Sequence, residues 1–149
     1  MSFFVNLLGS LIFGAVGWLI THLIANPLLT VWRLRAEVPE VIFKTANVGA
    51  SGRLPEEEEW KEARDLLRGL AAPIIAANAI ALAFVRWSLL RGGIDLQKAA
   101  KGLTGLSNAI TATDGSRALH RAAIERALRL PRTDSDEYIR SIEETLRAR

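Results

Sequence analysis

The chain has 149 residues, half of them hydrophobic, with a formal net charge of +3 and a pI of about 9.8. It contains no cysteine and two histidines, His22 and His120. Disulfides, cysteine-based zinc sites, cysteine-ligated iron–sulfur clusters and thiol nucleophiles are therefore excluded. The positive charge is modest, and it suits contact with anionic lipid better than a dedicated nucleic-acid surface.

The N-terminal segment carries no charged side chain from Phe3 to Trp32. A bilayer core of about 30 Å needs ~20 apolar residues in a helix, so residues 3–25 are long enough to span it. A secretory signal peptide would begin with basic residues and have a shorter apolar stretch. We therefore interpret the segment as a retained transmembrane helix, which Pro27 is expected to kink or to mark where it leaves the bilayer.

The basic residues that flank this segment predict its orientation. Arg33, Arg35 and Lys44 follow it, whereas no basic side chain precedes it. Because positively charged flanks stay in the cytoplasm, the N-terminus is predicted to lie outside and the rest of the chain inside. Trp32, Arg33 and Arg35 are predicted to lie at the lipid surface. The expected location is the bacterial inner membrane.

Small residues recur along one face of the predicted span. Lipid gives helices no hydrophobic drive to associate, so close approach across small side chains is the usual substitute. Glycine is also common in membrane helices for other reasons. We predict a helix–helix contact, with a second copy or with another membrane subunit, through Ser10, Gly14, Gly17, Thr21 and Ala25.

The remaining sequence predicts helices and no half-buried strand. Pro39 suits a helix first turn, and the apolar patch that follows it, Ile42, Phe43 and Ala46, is predicted to be available to a partner. The expected fold class is all-α, with one N-terminal transmembrane helix followed by a small cytoplasmic helical bundle. The predicted organisation is an anchor with a basic end (1–35), an amphipathic connector and loop (36–54) and a cytoplasmic helical domain (55–149).

Apolar spacing predicts the buried faces of the cytoplasmic helices. Pro55 and the glutamates after it predict a helix start, and Asp95 and either Thr133 or Ser135 are predicted N-caps. Residues 69–85 are uncharged, and we predict a buried helix there that continues to Gly92. The predicted apolar stripes are Trp60, Ala63, Leu67, Leu70 and Ile74; Leu96, Ala99, Ala100, Leu103, Leu106 and Ile110; Leu119, Ala123, Ala127 and Leu130; and Ile139, Ile142 and Leu146.

No motif in the chain predicts catalysis. Residues 102–108, GLTGLSN, contain a glycine cluster, but no G-K-[ST] follows and the segment lies inside a predicted helix. Ser107 lacks an identifiable base and a G-x-S-x-G turn. Two glycines three residues apart in an apolar stripe predict instead a close helix crossing. We therefore expect no enzymatic activity, no cofactor and no metal site.

Three short stretches of the chain carry a resemblance. LRAEV (34–38), TANV (45–48) and LTGLSN (103–108) are similar to stretches of an uncharacterised group of bacterial proteins with one N-terminal span and a helical cytoplasmic domain. In that group the stretches read L-R-x-E-[VI], aromatic-A-N-V and [IL]-x-G-L-S-N. This chain departs from the pattern at Thr45 and in its apolar segment 69–85. The resemblance implies a single span and a bacterial origin, and it implies no reaction.

These observations favour a non-enzymatic interaction protein that is an accessory, scaffold or assembly subunit of a larger membrane complex. Its expected partners are membrane lipid and either other membrane subunits or further copies of itself. Two other classes stay open on sequence alone. One is a two-span, holin-like or small-channel protein in which residues 69–85 cross the bilayer. The other is a membrane-tethered nucleic-acid-binding or regulatory module that uses the basic helix 117–132.

Overall fold

The regular elements are all helical in the part of the chain that the structure, a computed structural model, describes: residues 2–48, 56–112 and 115–148. In chain order they are α1 (Ser2–Ile20), a π-helical turn (Thr21–Ala25), α2 (Asn26–Ala46), α3 (Glu57–Ile80), α4 (Ala83–Arg91), α5 (Leu96–Asn108), α6 (Ser116–Leu128) and α7 (Asp136–Arg147). The predicted all-α class is confirmed. The loop part of the predicted connector, residues 49–54, and the helix start predicted at Pro55 lie outside the described residues.

The first helix runs without a stop from α1 through the π-helical turn into α2. Ile20 and Asn26, at the two ends of the turn, both keep helical backbone angles, and the Asn26 N–H donates to the Thr21 carbonyl. Pro27 follows directly, with no N–H to donate and with a ring that crowds the carbonyl four residues earlier. A π-turn is a common way for a helix to absorb such a misfit. The predicted effect of Pro27 therefore takes the form of a π-turn in a continuous helix.

The N-terminal half of this helix is long and apolar enough to cross a membrane. Asn6–Ala46 contains a stretch with a mean hydropathy of 1.9, and no residue of that stretch is buried. Within the described ranges it is the one helix that is both long enough and apolar enough to cross a membrane. Leu11 and Phe13 are 71% and 80% exposed. By length and composition it is a candidate membrane span.

The C-terminal half of the same helix belongs to the packed part of the molecule. Val31, Leu34 and Val38 of α2 are buried in one apolar core with residues of α3, α4, α5 and α6. Pro39, predicted at a helix start, lies inside α2. Burial of Val31, Leu34 and Val38 along one stripe stabilises the helical conformation of α2 across a position where proline removes a backbone donor. The segment predicted as a connector is thus helical to Ala46 and is part of the core.

Helix α3 runs antiparallel to α2. A cavity of 390 Å³ is lined by Lys44 and Val48 at the end of α2 and by Glu59 and Glu62 in the first half of α3. The two helices also pack against each other. The C-terminal end of α3 therefore returns toward the start of α2, where α2 joins the candidate span.

The prediction of one helix from residue 69 to Gly92 is wrong, because this segment forms two helices: α3 ends at Ile80 and α4 begins at Ala83. Ala81 and Leu82 adopt extended ψ angles of 133° and 151°, between the end of α3 and the start of α4. The turn lets Val85 and Leu89 of α4 point back to the core that already contains Ile74. No glycine or proline marks the break, so tertiary packing overrides local helix propensity here.

Helices α5 and α6 cross closely at two glycines of α5, as predicted. A Cβ added at Gly102 would lie 2.7 Å from Cγ1 of Ile124, and one added at Gly105 would overlap the ring of His120. The stripe predicted for α6 is correct at Ala127, which is buried, and at Leu130, which packs against the core, but it is wrong at Ala123, which is exposed; Ile124 and Leu128 are the fully buried positions. The close approach of Ile124 to Gly102 of α5 accounts for the burial of Ile124.

Two predicted helix caps are confirmed. The Lys98 N–H donates to Oδ1 of Asp95 at 3.0 Å, and the Tyr138 N–H donates to Oγ of Ser135 at 3.2 Å. Ile139 and Ile142 of α7 are buried. Each cap satisfies a backbone donor that a helix start would otherwise leave unpaired.

Candidate membrane interface

The small-residue stripe lies on an open helix face. Ser10, Gly14, Gly17 and Thr21 are exposed and Ala25 is half-buried. A Cβ added at Gly14 or Gly17 would meet no atom within 4 Å. The Ser10 hydroxyl donates to the Asn6 carbonyl at 3.0 Å and the Thr21 hydroxyl to the Gly17 carbonyl at 2.9 Å. Because both hydroxyl protons are bonded within the helix, the face can meet lipid or another helix at little polar cost.

Trp18 and His22 form a stacked pair on the same helix. Their ring centroids lie 4.4 Å apart with an interplanar angle of 24°. Stacking covers part of the imidazole with an apolar ring, which eases its placement near a headgroup boundary.

The three residues predicted at the lipid surface lie in different surroundings. Trp32 is 63% exposed, and the Arg35 guanidinium lies over its ring at 5.1 Å. Arg35 also donates to the Arg129 carbonyl at 3.2 Å, so it ties α2 to the end of α6. Arg33 pairs with Glu37 at 2.6 Å one turn later. The sequence analysis placed Arg33 at the lipid surface and missed its partner Glu37, although i,i+4 pairs of opposite charge are common on helices.

The predicted partner patch is partly occupied by the protein itself. Ile42 and Ala46 are half-buried, and Phe43 is 80% exposed. All three line a cavity of 260 Å³ together with Leu130 and Pro131. A partner side chain of moderate size could enter this cavity beside Phe43.

Glu125 at the back of that cavity was missed by sequence reasoning. Its side chain is 95% buried, and its carboxylate accepts hydrogen bonds from the N–H (3.1 Å) and the hydroxyl of Thr133. The neighbouring Arg121 pairs with Asp134. These contacts fix the chain between α6 and α7. A carboxylate eight residues before a threonine carries no local pattern that would have indicated the contact.

The arginines of α6 and the segment after it mainly serve the fold. Arg117 donates to the carbonyls of Val48 (2.7 Å), Thr45 (3.0 Å) and Ala46 (3.3 Å) at the end of α2. Burial lowers the pKa of Arg117, and the nearby Arg121 lowers it further. Arg129 donates to the Gly92 carbonyl at 2.9 Å, and Arg132 pairs with Asp136. The basic stretch therefore offers less free charge to a nucleic acid than its composition indicates.

A basic groove of 660 Å³ lies between α5 and α6. It is lined by Lys98, Lys101, Arg126 and His120 and by one carboxylate, Asp95. Asp95 is engaged as the cap of α5 and lies 3.3 Å from the Lys98 amine. The groove is electrostatically suited to an anion, and no serine, threonine, tyrosine or cysteine nucleophile lines it.

The chain matches no protein-family model, no curated protein and no solved structure.

Proposed function

We propose that the protein is a single-pass, membrane-anchored interaction protein, an accessory, scaffold or assembly subunit of a bacterial inner-membrane complex without enzymatic activity of its own. Its N-terminus faces outward and its packed helices lie in the cytoplasm. The observation that carries the proposal is the helix that joins α1 to α2. Its first half is apolar and exposed, and its second half buries Val31, Leu34 and Val38 in the core.

The open small-residue face supports a role in assembly. A protein that only needed an anchor could use a uniformly bulky apolar span. Here Gly14 and Gly17 leave space that another helix backbone could enter. At the other end of the continuous helix, the exposed Phe43 offers a second contact in the cytoplasm.

A single crossing is supported by the packing of α3. Leu70, Ala71, Ile74 and Ala77 of the apolar segment 69–85 are buried against the other helices. Moving this segment into lipid would remove those side chains from the core and expose their neighbours. The two-span alternative therefore requires a different packing of the whole domain.

The topology can be tested by cysteine labelling, because the native chain has no cysteine. Ser2→Cys, Ser51→Cys and Ser141→Cys are introduced one at a time, and intact cells are treated with a membrane-impermeant maleimide. We expect labelling at position 2 alone, and labelling at 51 and 141 only after permeabilisation. Labelling of intact cells at 141 but not at 51 would favour the two-span alternative.

The interaction role is tested by the mass and composition of the native assembly, extracted in mild detergent through a C-terminal tag. We expect a stoichiometric complex, either with other membrane subunits or with further copies of this chain. Gly14→Leu should disrupt it without preventing membrane insertion. Gly9→Leu is the matched control, since Gly9 is equally open but lies about 100° around the helix from Ser10. A monomeric wild-type particle, or equal behaviour of the two variants, would contradict the proposed stripe contact.

A further inference from the structure

We propose that the junction of α3 and α4 makes a second, non-spanning contact with the membrane, resting on the anionic lipid headgroups of the leaflet from which α2 emerges. The inference deepens the proposed function and depends on its membrane anchor. The α3–α4 surface is defined as the exposed side chains of Ile75, Ile80, Leu82, Phe84, Trp87 and Leu90.

The α3–α4 surface is unusually apolar for a surface beside a packed core. Ile80 and Phe84 are both 54% exposed, and Trp87 is 60% exposed. After the candidate span, the other large exposed hydrophobic residues in the described ranges are scattered singly or lie at the start of α2, namely Leu29, Trp32, Phe43, Leu66 and Tyr138. Six large exposed apolar side chains within residues 75–90 indicate a surface that another phase or molecule covers.

The position of this surface identifies the membrane as its occupant. From Phe4 to Leu23 a helix rises about 29 Å, which matches the ~30 Å hydrocarbon core. The next residues, Ile24 and Leu28, already pack against the core of the domain. Helix α3 is antiparallel to α2 and has 24 residues against 21, so its end at Ile80 returns to the level at which the span leaves the bilayer.

The distribution of charged residues agrees with a contact between the α3–α4 surface and anionic headgroups. The chain contains no aspartate or glutamate from residue 66 to residue 94, whereas it contains Arg68, Arg86 and Arg91 there. Residues 1–36, which include the span and its exit, likewise contain no carboxylate side chain. Surfaces that face anionic headgroups attract arginine and repel carboxylates. Both segments that meet at this end of the molecule are therefore electrostatically compatible with anionic lipid.

The described residues contain three tryptophan–arginine pairs, one of them on α4; the Arg64 guanidinium lies over the Trp60 ring at 4.9 Å in the first half of α3. The Arg91 guanidinium lies over the Trp87 ring at 5.1 Å, and Arg35 lies over Trp32 at the same distance. Tryptophan prefers the boundary between hydrocarbon and headgroups, and arginine extends its charge to the phosphates. The Trp87–Arg91 pair therefore gives α4 the chemistry of a headgroup contact, whereas Trp32 lies nine residues, about 14 Å of helix, beyond Leu23.

The test uses the full-length protein in vesicles that contain phosphatidylglycerol. Single cysteines are introduced as Phe84→Cys and Trp87→Cys on the α3–α4 surface and labelled with an environment-sensitive fluorophore. Phe43→Cys is the matched control, because Phe43 is an aromatic residue at the far end of α2 and is even more exposed than Phe84 and Trp87. Ile12→Cys, in the middle of the candidate span, reports insertion. Quenching is measured with lipids brominated near the headgroup and with lipids brominated near the chain end.

We expect headgroup-proximal bromines to remove most of the fluorescence at positions 84 and 87 and to leave position 43 unchanged, while position 12 is quenched by the deep bromines. Quenching at 12 without quenching at 84 and 87 would overturn the second contact and leave the anchor intact, as expected if a protein partner or a second copy covers this surface. Absence of quenching at position 12 would overturn the membrane anchor itself.

Discussion

The crossing of α5 over α6 gives the sharpest test of the packing. A Cβ added at Gly102 would lie 2.7 Å from Cγ1 of Ile124 and 3.4 Å from the His120 carbonyl oxygen and the Ile124 nitrogen of α6. Ile124 is fully buried, so its side chain has no free space into which it can turn. The Gly102→Ala variant must therefore push the two helices apart.

The expected magnitude is a balance of two opposing effects. Replacing glycine by alanine in a helix interior stabilises it by about 1 kcal/mol, whereas overpacking a core costs roughly 1–3 kcal/mol. We expect Gly102→Ala to lower the free energy of unfolding by about 1 kcal/mol net of the helix gain. At Gly69, in the interior of α3, an added Cβ would meet nothing within 4 Å. Gly69→Ala is therefore expected to raise the free energy of unfolding by up to about 1 kcal/mol.

Thermal unfolding of the full-length protein in detergent, followed by near-UV circular dichroism, distinguishes the two variants. Their combined difference of about 2 kcal/mol corresponds to roughly 5–10 °C in midpoint temperature. In an Ile124→Ala background the penalty of the Gly102→Ala substitution should disappear, which a double-mutant cycle measures. Equal midpoints for Gly102→Ala and Gly69→Ala would refute the close crossing.

The remaining predictions concern the contacts that hold the helices together. Arg117→Gln removes charge-assisted hydrogen bonds to three carbonyls at the end of α2 and should cost about 1.5–3 kcal/mol in denaturant unfolding, whereas Arg140→Gln on the exposed face of α7 should change it by less than about 0.5 kcal/mol. Glu125→Ala removes the acceptor of both Thr133 hydrogen bonds, so amides of α7 should exchange faster with deuterium while those of α3 stay protected; unchanged α7 exchange would contradict this role. Asp95→Ala should cost about 1 kcal/mol and Asp95→Asn much less, since an amide oxygen still caps a helix.

The parts of the fold that local patterns control could be predicted. The length of the apolar stretch identified the candidate span, the 3–4 spacing of Leu67, Leu70 and Ile74 identified the buried face of α3, and Asp95 identified a helix start. Each of these signals lies within one element and depends on backbone geometry or on periodicity alone. They need no knowledge of neighbouring helices.

The features that sequence reasoning missed depend on contacts between elements. Pro39 looked like a helix start, because nothing local shows that burial of Val31, Leu34 and Val38 keeps α2 helical on both sides of it. The break at Ala81 has no glycine or proline, and only the return of Val85 to the core explains it. On α6 the sequence analysis missed Ile124 and Leu128, because the contact of Ile124 with Gly102 of α5 leaves no local signal. The arginines that looked like a basic surface are largely paired: Arg117 and Arg129 have partners distant in sequence, whereas Arg132 pairs with Asp136 four residues later.

The continuous helix has a mechanical consequence. A span joined to its domain by a flexible linker would let the domain swivel, whereas here the helix that contains the candidate span continues into α2, whose Val31, Leu34 and Val38 belong to the core. Rotation of the span about its axis must therefore turn the whole domain with it. One residue inserted between Ala25 and Val31 would rotate the outer segment by about 100° relative to the domain. The direction from which another helix could approach Gly14 and Gly17 is therefore fixed relative to the direction in which Phe43 faces.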